Sequence, residues 1–187
     1  NHTILDLPCI SLFVGKSKSG KTTLLKYLLQ GHLLNNDFHF GLVISGTSYT
    51  KTWKKMLPPE IIWPFNSDTE AKLDTYVENL KKIKEDEGYV APNFLILDDL
   101  VGLLQDNKKN FINLITTFRH INMSIFICIQ RLVKGISPLV RENSDYAFLD
   151  KTTSAPQIKN FYDYFGQDTE DAKEFKKIYN EYTNSPF

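Results

Sequence analysis

Gly15-Lys16-Ser17-Lys18-Ser19-Gly20-Lys21-Thr22 fits the phosphate-loop pattern G-x-x-x-x-G-K-[ST] at every position. The flanks strengthen the reading. Cys9 to Val14 is a short apolar run rich in strand formers, and Thr22 to Gln30 reads as a helix with Leu24, Leu25, Leu28 and Leu29 on one face. Strand, glycine loop and helix in this order let backbone N–H groups and the positive helix end surround a polyphosphate. Residues 15–23 are then the candidate cradle for the phosphates of ATP: Gly15, Lys16, Ser17, Lys18, Ser19, Gly20, Lys21, Thr22 and Thr23. Lys21 is expected to reach the β- and γ-phosphates, and the Thr22 hydroxyl to ligate Mg²⁺. The alternative is a glycine–serine turn between two ordinary elements.

Downstream, apolar strands and helices alternate. Strands are expected at His39–Ser45, Phe94–Asp99, Ser124–Ile129 and Tyr146–Leu149. Helices are expected at Thr69–Glu87, with Leu73, Val77, Leu80 and Ile83 at helix spacing, and at Asn107–His120, with Phe111, Leu114, Ile115 and Phe118. A short segment near Leu139–Glu142 and two last helices, Ala155–Phe165 and Thr169–Tyr182, complete the pattern. Near-continuous apolar strands between helices predict an α/β fold, a mainly parallel sheet covered on both faces. The chain reads as one domain over residues 1–187, with its core at about 10–150 and helices at about 155–182.

Ligands of such sheets bind at the carboxyl ends of the strands. Three features fall there: the phosphate loop after Val14, Asp98-Asp99 after Leu97, and Gln130-Arg131 after Ile129. An apolar run ending in Asp has the Walker B form, so Asp98 is expected to hold Mg²⁺ through a water molecule. Asp99 is the candidate water-activating carboxylate, one methylene shorter than the Glu many phosphate-loop ATPases carry. The alternative is a solvated turn pair. Between Thr22 and Asp98 lie roughly 75 residues, room for a helix–strand–helix excursion. One further strand follows Walker B, the layout of ATPases whose sensor strand lies between the phosphate-loop and Walker B strands. Gln130 is then the candidate sensor of the γ-phosphate or attacking water; otherwise it merely ends a strand.

Arg119, Arg131 and Arg141 are the only arginines. Arg119 closes a helix before the sensor strand, where it either complements the helix dipole or reaches a neighbouring subunit's γ-phosphate, with Arg131 and then Arg141 the next candidates for that reach. Lys16 and Lys18 read as exposed lysines that attract phosphate, although Lys16 stands where deviant phosphate loops carry a second functional lysine. The loop after the second strand contains Tyr49, and its Lys51, Trp53, Lys54 and Lys55 form a basic, aromatic-containing stretch suited to phosphate contact and base stacking. The plainer reading packs Trp53 on the core. Lys81, Lys82 and Lys84 are offset by Glu85, Asp86 and Glu87 and read as a solvated helix face.

Composition excludes several classes. The charge is balanced, 22 basic against 22 acidic residues, so no global nucleic-acid signature exists. Cys9 and Cys128 fall in core strands and read as buried hydrophobes. His2, His32, His39 and His120 show no metal-ligand spacing. The apolar runs are too short to span a bilayer and no signal peptide opens the chain, as expected of a soluble intracellular protein. Starting without Met is what an excised domain would show.

Together, residues Phe13–Thr22, Asn93–Asp99, Phe118–Ser124 and Ile129–Arg131 resemble the viral genome-packaging ATPases of the FtsK–HerA superfamily, of the poxvirus and large DNA virus type. The Arg-His pair, short spacer and Ser ahead of the sensor strand, and the Asp-Asp Walker B, carry that resemblance. It implies a RecA-like ATPase working as an oligomeric ring that threads double-stranded DNA into a capsid, with capsid or portal vertex proteins as partners and the viral assembly site of the infected cell's cytoplasm, or the virion, as its place. It also implies catalytic roles for Lys21, Asp98, Asp99 and Gln130, with Arg119 at the position of the finger. A nucleoside or nucleotide kinase is the first rival, although an arginine-rich lid is missing. A GTPase lacks its Asn-Lys-x-Asp reader. An ATP-binding switch with little turnover is the other rival.

Overall fold

The computed structural model describes residues 5–46, 50–100, 104, 109–132 and 136–184. His2, Tyr49 and Asn107, named above, lie outside them. Six parallel strands form one sheet: β1 (Ile10–Val14), β2 (Phe40–Ser45), β3 (Ile62–Pro64), β4 (Asn93–Asp98), β5 (Met123–Ile129) and β6 (Tyr146–Leu149), in the order β3-β2-β4-β5-β1-β6. The expected placement of the sensor strand holds, since β5 lies between β1 and β4.

The helices are α1 (Lys21–Leu34), α2 (Thr50–Trp53), α3 (Thr69–Glu87), α4 (Lys109–Thr117), α5 (Pro138–Glu142), α6 (Ala155–Phe165) and α7 (Ala172–Asn184). Strand side chains alternate between two cores because their period is two. Phe13, Phe94, Ile96, Phe126 and Cys128 face α1, packing with Leu25, Leu28, Leu29 and Trp53. Leu12, Leu95, Leu97, Ile125 and Ile127 face the other way, onto Leu73 of α3, Phe111 of α4 and Phe161 of α6. Each side therefore buries a full layer, and truncating a core leucine such as Leu25 to Ala would cost about 2–5 kcal/mol. Gly41 is obligatory for this packing: a Cβ there would lie 2.4 Å from the Phe94 ring.

Several sequence expectations need correction. Leu24 and Ile83, each 40% exposed, do not join the faces assigned to them. The α1 helix runs past Gly31, which sits in open space. The expected helix to His120 breaks after Thr117 into a 3-10 turn, Phe118–Ile121, and Asn122 closes that turn in the left-handed region. The last helix begins at Ala172, since Thr169 instead bonds back to the Gly166 carbonyl. Strand β3 was not expected at all.

Candidate functional site

Parity along the strands aims the site. Asp98 shares the face of Phe94 and Ile96, so its carboxylate points to the side where α1 begins. Cys128 is in register with both Phe13 and Asp98, so the tips of β1, β5 and β4 stand level. The loop after β1 opens through Lys18, at φ 65°, and Gly20, at φ 95°, both left-handed. That pair of reversals curls the backbone, which Gly20 allows at little steric cost. Ser17–Thr23, Thr52, Asp98, Asp99, Cys128 and Gln130 line one cleft of about 390 Å³. The structure thus brings together residues 17–23 of the phosphate loop, the two candidate Walker B carboxylates and the candidate sensor amide.

Lys21 Nζ donates to the Gly15 and Lys16 carbonyls at 2.5 and 2.9 Å, which holds the ammonium against its own loop. Gly15 is pinned by its N–H to the Ile129 carbonyl, 3.1 Å, and has no room for a side chain, because a Cβ would lie 2.4 Å from Asp150 Cβ. Gly15 and Lys16 instead line an adjoining cleft of about 400 Å³ with Arg131, Asp150 and Lys151, and Gln130 borders both clefts. Lys16, Ser17 and Lys18 are exposed.

Asp98 is 3% exposed. Burial pushes its carboxyl above the usual range; the Trp53 hydrogen bond, Lys21 and Lys26 oppose that rise, while Asp99 adds to it. Trp53 Nε1 donates to Asp98 Oδ2 at 2.8 Å, and the indole is wholly buried. So the core reading of Trp53 holds, with a polar role that the sequence did not signal. Ser45 pairs with Asp98, so the ends of β2 and β4 stand level, and Trp53 of α2 reaches the tip of β4 from beyond them. Lys26 Nζ bonds the Thr52 carbonyl and lies 5.3 Å from the Trp53 ring centre, securing the segment to α1.

Asp99 has φ 63°, a conformation that costs a residue with a side chain about 1–3 kcal/mol unless its surroundings hold it. Two bonds do so: Asp99 N–H to the Cys128 carbonyl, 2.9 Å, and Gln130 Nε2 to Asp99 Oδ2, 2.8 Å. The turn swings the Asp99 carboxylate toward the end of β5, and Gln130 meets it.

Arg119 lies elsewhere. It precedes β5, whereas the cleft follows that strand, about 20 Å away at the usual rise per residue. Its guanidinium pairs with Asp145 Oδ1 at 2.6 Å, while Asp145 Oδ2 accepts from the Ile10 N–H at 2.8 Å. Arg119 remains 53% exposed. Arg141 stacks on Tyr164, 3.8 Å from the ring centre, and Arg131 is exposed. Lys51, Lys54 and Lys55 are also exposed.

The oxygens around Asp98 suit Mg²⁺: the Thr22 hydroxyl and two carboxylates are hard donors, and that ion is usually bound by one or two carboxylates plus substrate phosphates. Among the described residues no cluster of three or more His, Cys, Asp or Glu could hold a metal by itself. Among them too, no helix is long and apolar enough to cross a membrane.

An uncharacterized protein of Acanthamoeba polyphaga mimivirus is 25% identical over 179 residues, which is 95% of this chain and 57% of that protein. Protein 075L of Invertebrate iridescent virus 6 is 27% identical over 157 residues, 80% of this chain and 57% of that protein. The chain thus spans just over half the length of these relatives. Among solved structures, the genome packaging NTPase B204 from Sulfolobus turreted icosahedral virus 2, in complex with ATP-gammaS, matches with a TM-score of 0.67 at 17% identity, over 93% of this chain and 87% of that one. That likeness shows a shared fold. Residues 3–154 match the family model described as Poxvirus A32 protein, and the chain belongs to that family.

Proposed function

We propose that this chain is the ATPase domain of a motor that drives double-stranded DNA into a viral capsid, working as a ring of copies at the site of virus assembly. One observation carries the catalytic half of the reading: Lys21, Thr22, Asp98, Asp99 and Gln130 line a single cleft. Family membership and the fold shared with a genome packaging NTPase support the DNA-moving half.

The chemistry follows from the positions. Curled loop N–H groups and the α1 N-terminus receive the triphosphate. Lys21 exchanges the carbonyls of Gly15 and Lys16 for the β- and γ-phosphates. Thr22, and Asp98 through water, would hold Mg²⁺, which would supply charge neutralisation for the phosphates. Asp99 accepts a proton from the water that attacks the γ-phosphorus. The bond to the β–γ bridging oxygen breaks, and ADP and phosphate leave. A positioned base contributes about 10²–10⁴-fold. Gln130, already bonded to Asp99, orients the water and senses whether the γ-phosphate is present.

Arg119 is the proposed finger for a neighbouring copy. To reach it, the guanidinium must release Asp145, a half-exposed pair of the kind worth about 1 kcal/mol or less. Such a bond is weak enough to exchange. Steady-state ATP hydrolysis against protein concentration, with and without linear double-stranded DNA, tests the proposal. Turnover per subunit should rise with concentration and rise again with DNA. Flat, DNA-indifferent turnover by an assembled ring would overturn it.

A further inference from the structure

We propose that Trp53 is a positioning residue of the metal site: its indole N–H fixes the rotation of the Asp98 carboxylate and joins the basic segment 51–55 to the nucleotide cleft. This rests on the reading of Asp98 as the Mg²⁺ carboxylate.

A carboxylate on a short side chain still turns about its last bond. One hydrogen bond to Oδ2, at 2.8 Å from a fully buried donor, removes that freedom and leaves Oδ1 as the oxygen offered to the metal's water shell. The donor is itself immobile. Trp53 is among the largest fully buried side chains, and its carbonyl accepts from the N–H groups of Met56 and Leu57 at 2.9 and 3.0 Å. Lys26 clamps the preceding carbonyl from α1. A buried Trp needs a partner for its N–H, and this one finds it on the carboxylate of the nucleotide cleft rather than on a backbone carbonyl. Lys51, Lys54 and Lys55 project into solvent from the same few residues. A polyanion loaded on those lysines would therefore act on Asp98 through a single rigid side chain.

The probe is Mn²⁺, followed by electron paramagnetic resonance of the free ion in protein saturated with a non-hydrolysable ATP analogue. Hydrogen bonds to charged groups are worth enough that Trp53→Phe should weaken Mn²⁺ binding by about tenfold. Affinity for the metal-free analogue should stay within about twofold. Leu57→Ala, a neighbour in the same core, should lower Tm yet leave Mn²⁺ affinity alone. Wild-type Mn²⁺ affinity in Trp53→Phe overturns the proposal, as does an equal loss in Leu57→Ala. Asp98→Asn separates the two readings: if it too binds Mn²⁺ normally, the metal assignment of Asp98 fails; if it alone weakens binding, only the role of Trp53 fails. Emission offers a check that needs no change at Trp53. In Trp63→Phe, which leaves one tryptophan, adding Mg²⁺ to the analogue-loaded protein should shift the remaining fluorescence, and an unchanged spectrum counts against the coupling.

Discussion

Asp99→Asn removes one negative charge from the cleft while preserving what the fold needs at that position. Asn is, after Gly, the residue best suited to the left-handed region, so the φ of 63° persists. Its amide oxygen can still accept from Gln130 Nε2, now 2.8 Å from the carboxylate. Stability should therefore change by less than about 0.5 kcal/mol, a Tm shift within about 2 °C for a chain of this size. Chemistry changes far more. An amide cannot take the proton of the attacking water, and kcat should fall about 10²–10⁴-fold, or about 2.7–5.5 kcal/mol of barrier. Binding should move the other way. A unit charge about 6 Å from a phosphate, at an effective dielectric of 20–80, is worth about 0.7–2.8 kcal/mol, so ATP should bind equally well or more tightly. Phosphate release measured with and without double-stranded DNA, and equilibrium titration with a fluorescent ATP analogue, measure the two quantities. A folded variant that retains more than about a tenth of wild-type kcat would refute the assignment of Asp99 as base.

Other perturbations follow from the same geometry. Lys21→Ala should abolish hydrolysis and weaken ATP binding at least about tenfold, and wild-type turnover would sink the site. Arg119→Ala should spare ATP binding but cut oligomer-dependent turnover by about 10³-fold or more. Asp145→Asn, which frees the guanidinium and can still accept from Ile10, should not; equal losses in both would make Arg119 a structural clamp only. The thiols give a pH signature. Burial raises Cys9 to about 11 and Cys128 well above its ordinary value near 9. The folded state therefore prefers the protonated thiols: their contribution is intact below pH 9 and is lost as pH rises from 9 toward 11, by up to about 2–3 kcal/mol for Cys9. Denaturant titrations at pH 8.5 and 10.5 should show a smaller drop in Cys9→Ser than in wild type.

Where burial and periodicity decide structure, the chain is legible. Strands β4, β5 and β6 fall within a residue of their apolar runs, and α6 begins and ends as read. Strand β3 was missed because three residues, one of them Pro64, carry no period, and only pairing with Val43–Ser45 makes them a strand. Leu24 and Ile83 show the limit of spacing: leucine and isoleucine at helical intervals do not reveal how wide a stripe the sheet can cover. The components of the site were legible as motifs. Their linkage was not, since the bonds from Trp53 to Asp98 and from Gln130 to Asp99 join residues 45 and 31 positions apart that only the folded sheet brings together.

The three strands that bear the site, β4, β5 and β1, are each hydrogen-bonded to a neighbour on both sides. Their amides can reach solvent only when the sheet itself comes apart, so hydrogen exchange at Leu12, Ile96 and Ile127 should proceed through global unfolding alone. The short outer strands β3 and β6, of three and four residues, belong to the region that frays first. A nucleotide that binds only the folded state raises the free energy of global unfolding, so it should slow exchange in the central strands as a set, while the fraying edges of the sheet respond little. The part that would do the chemistry is the part least able to breathe.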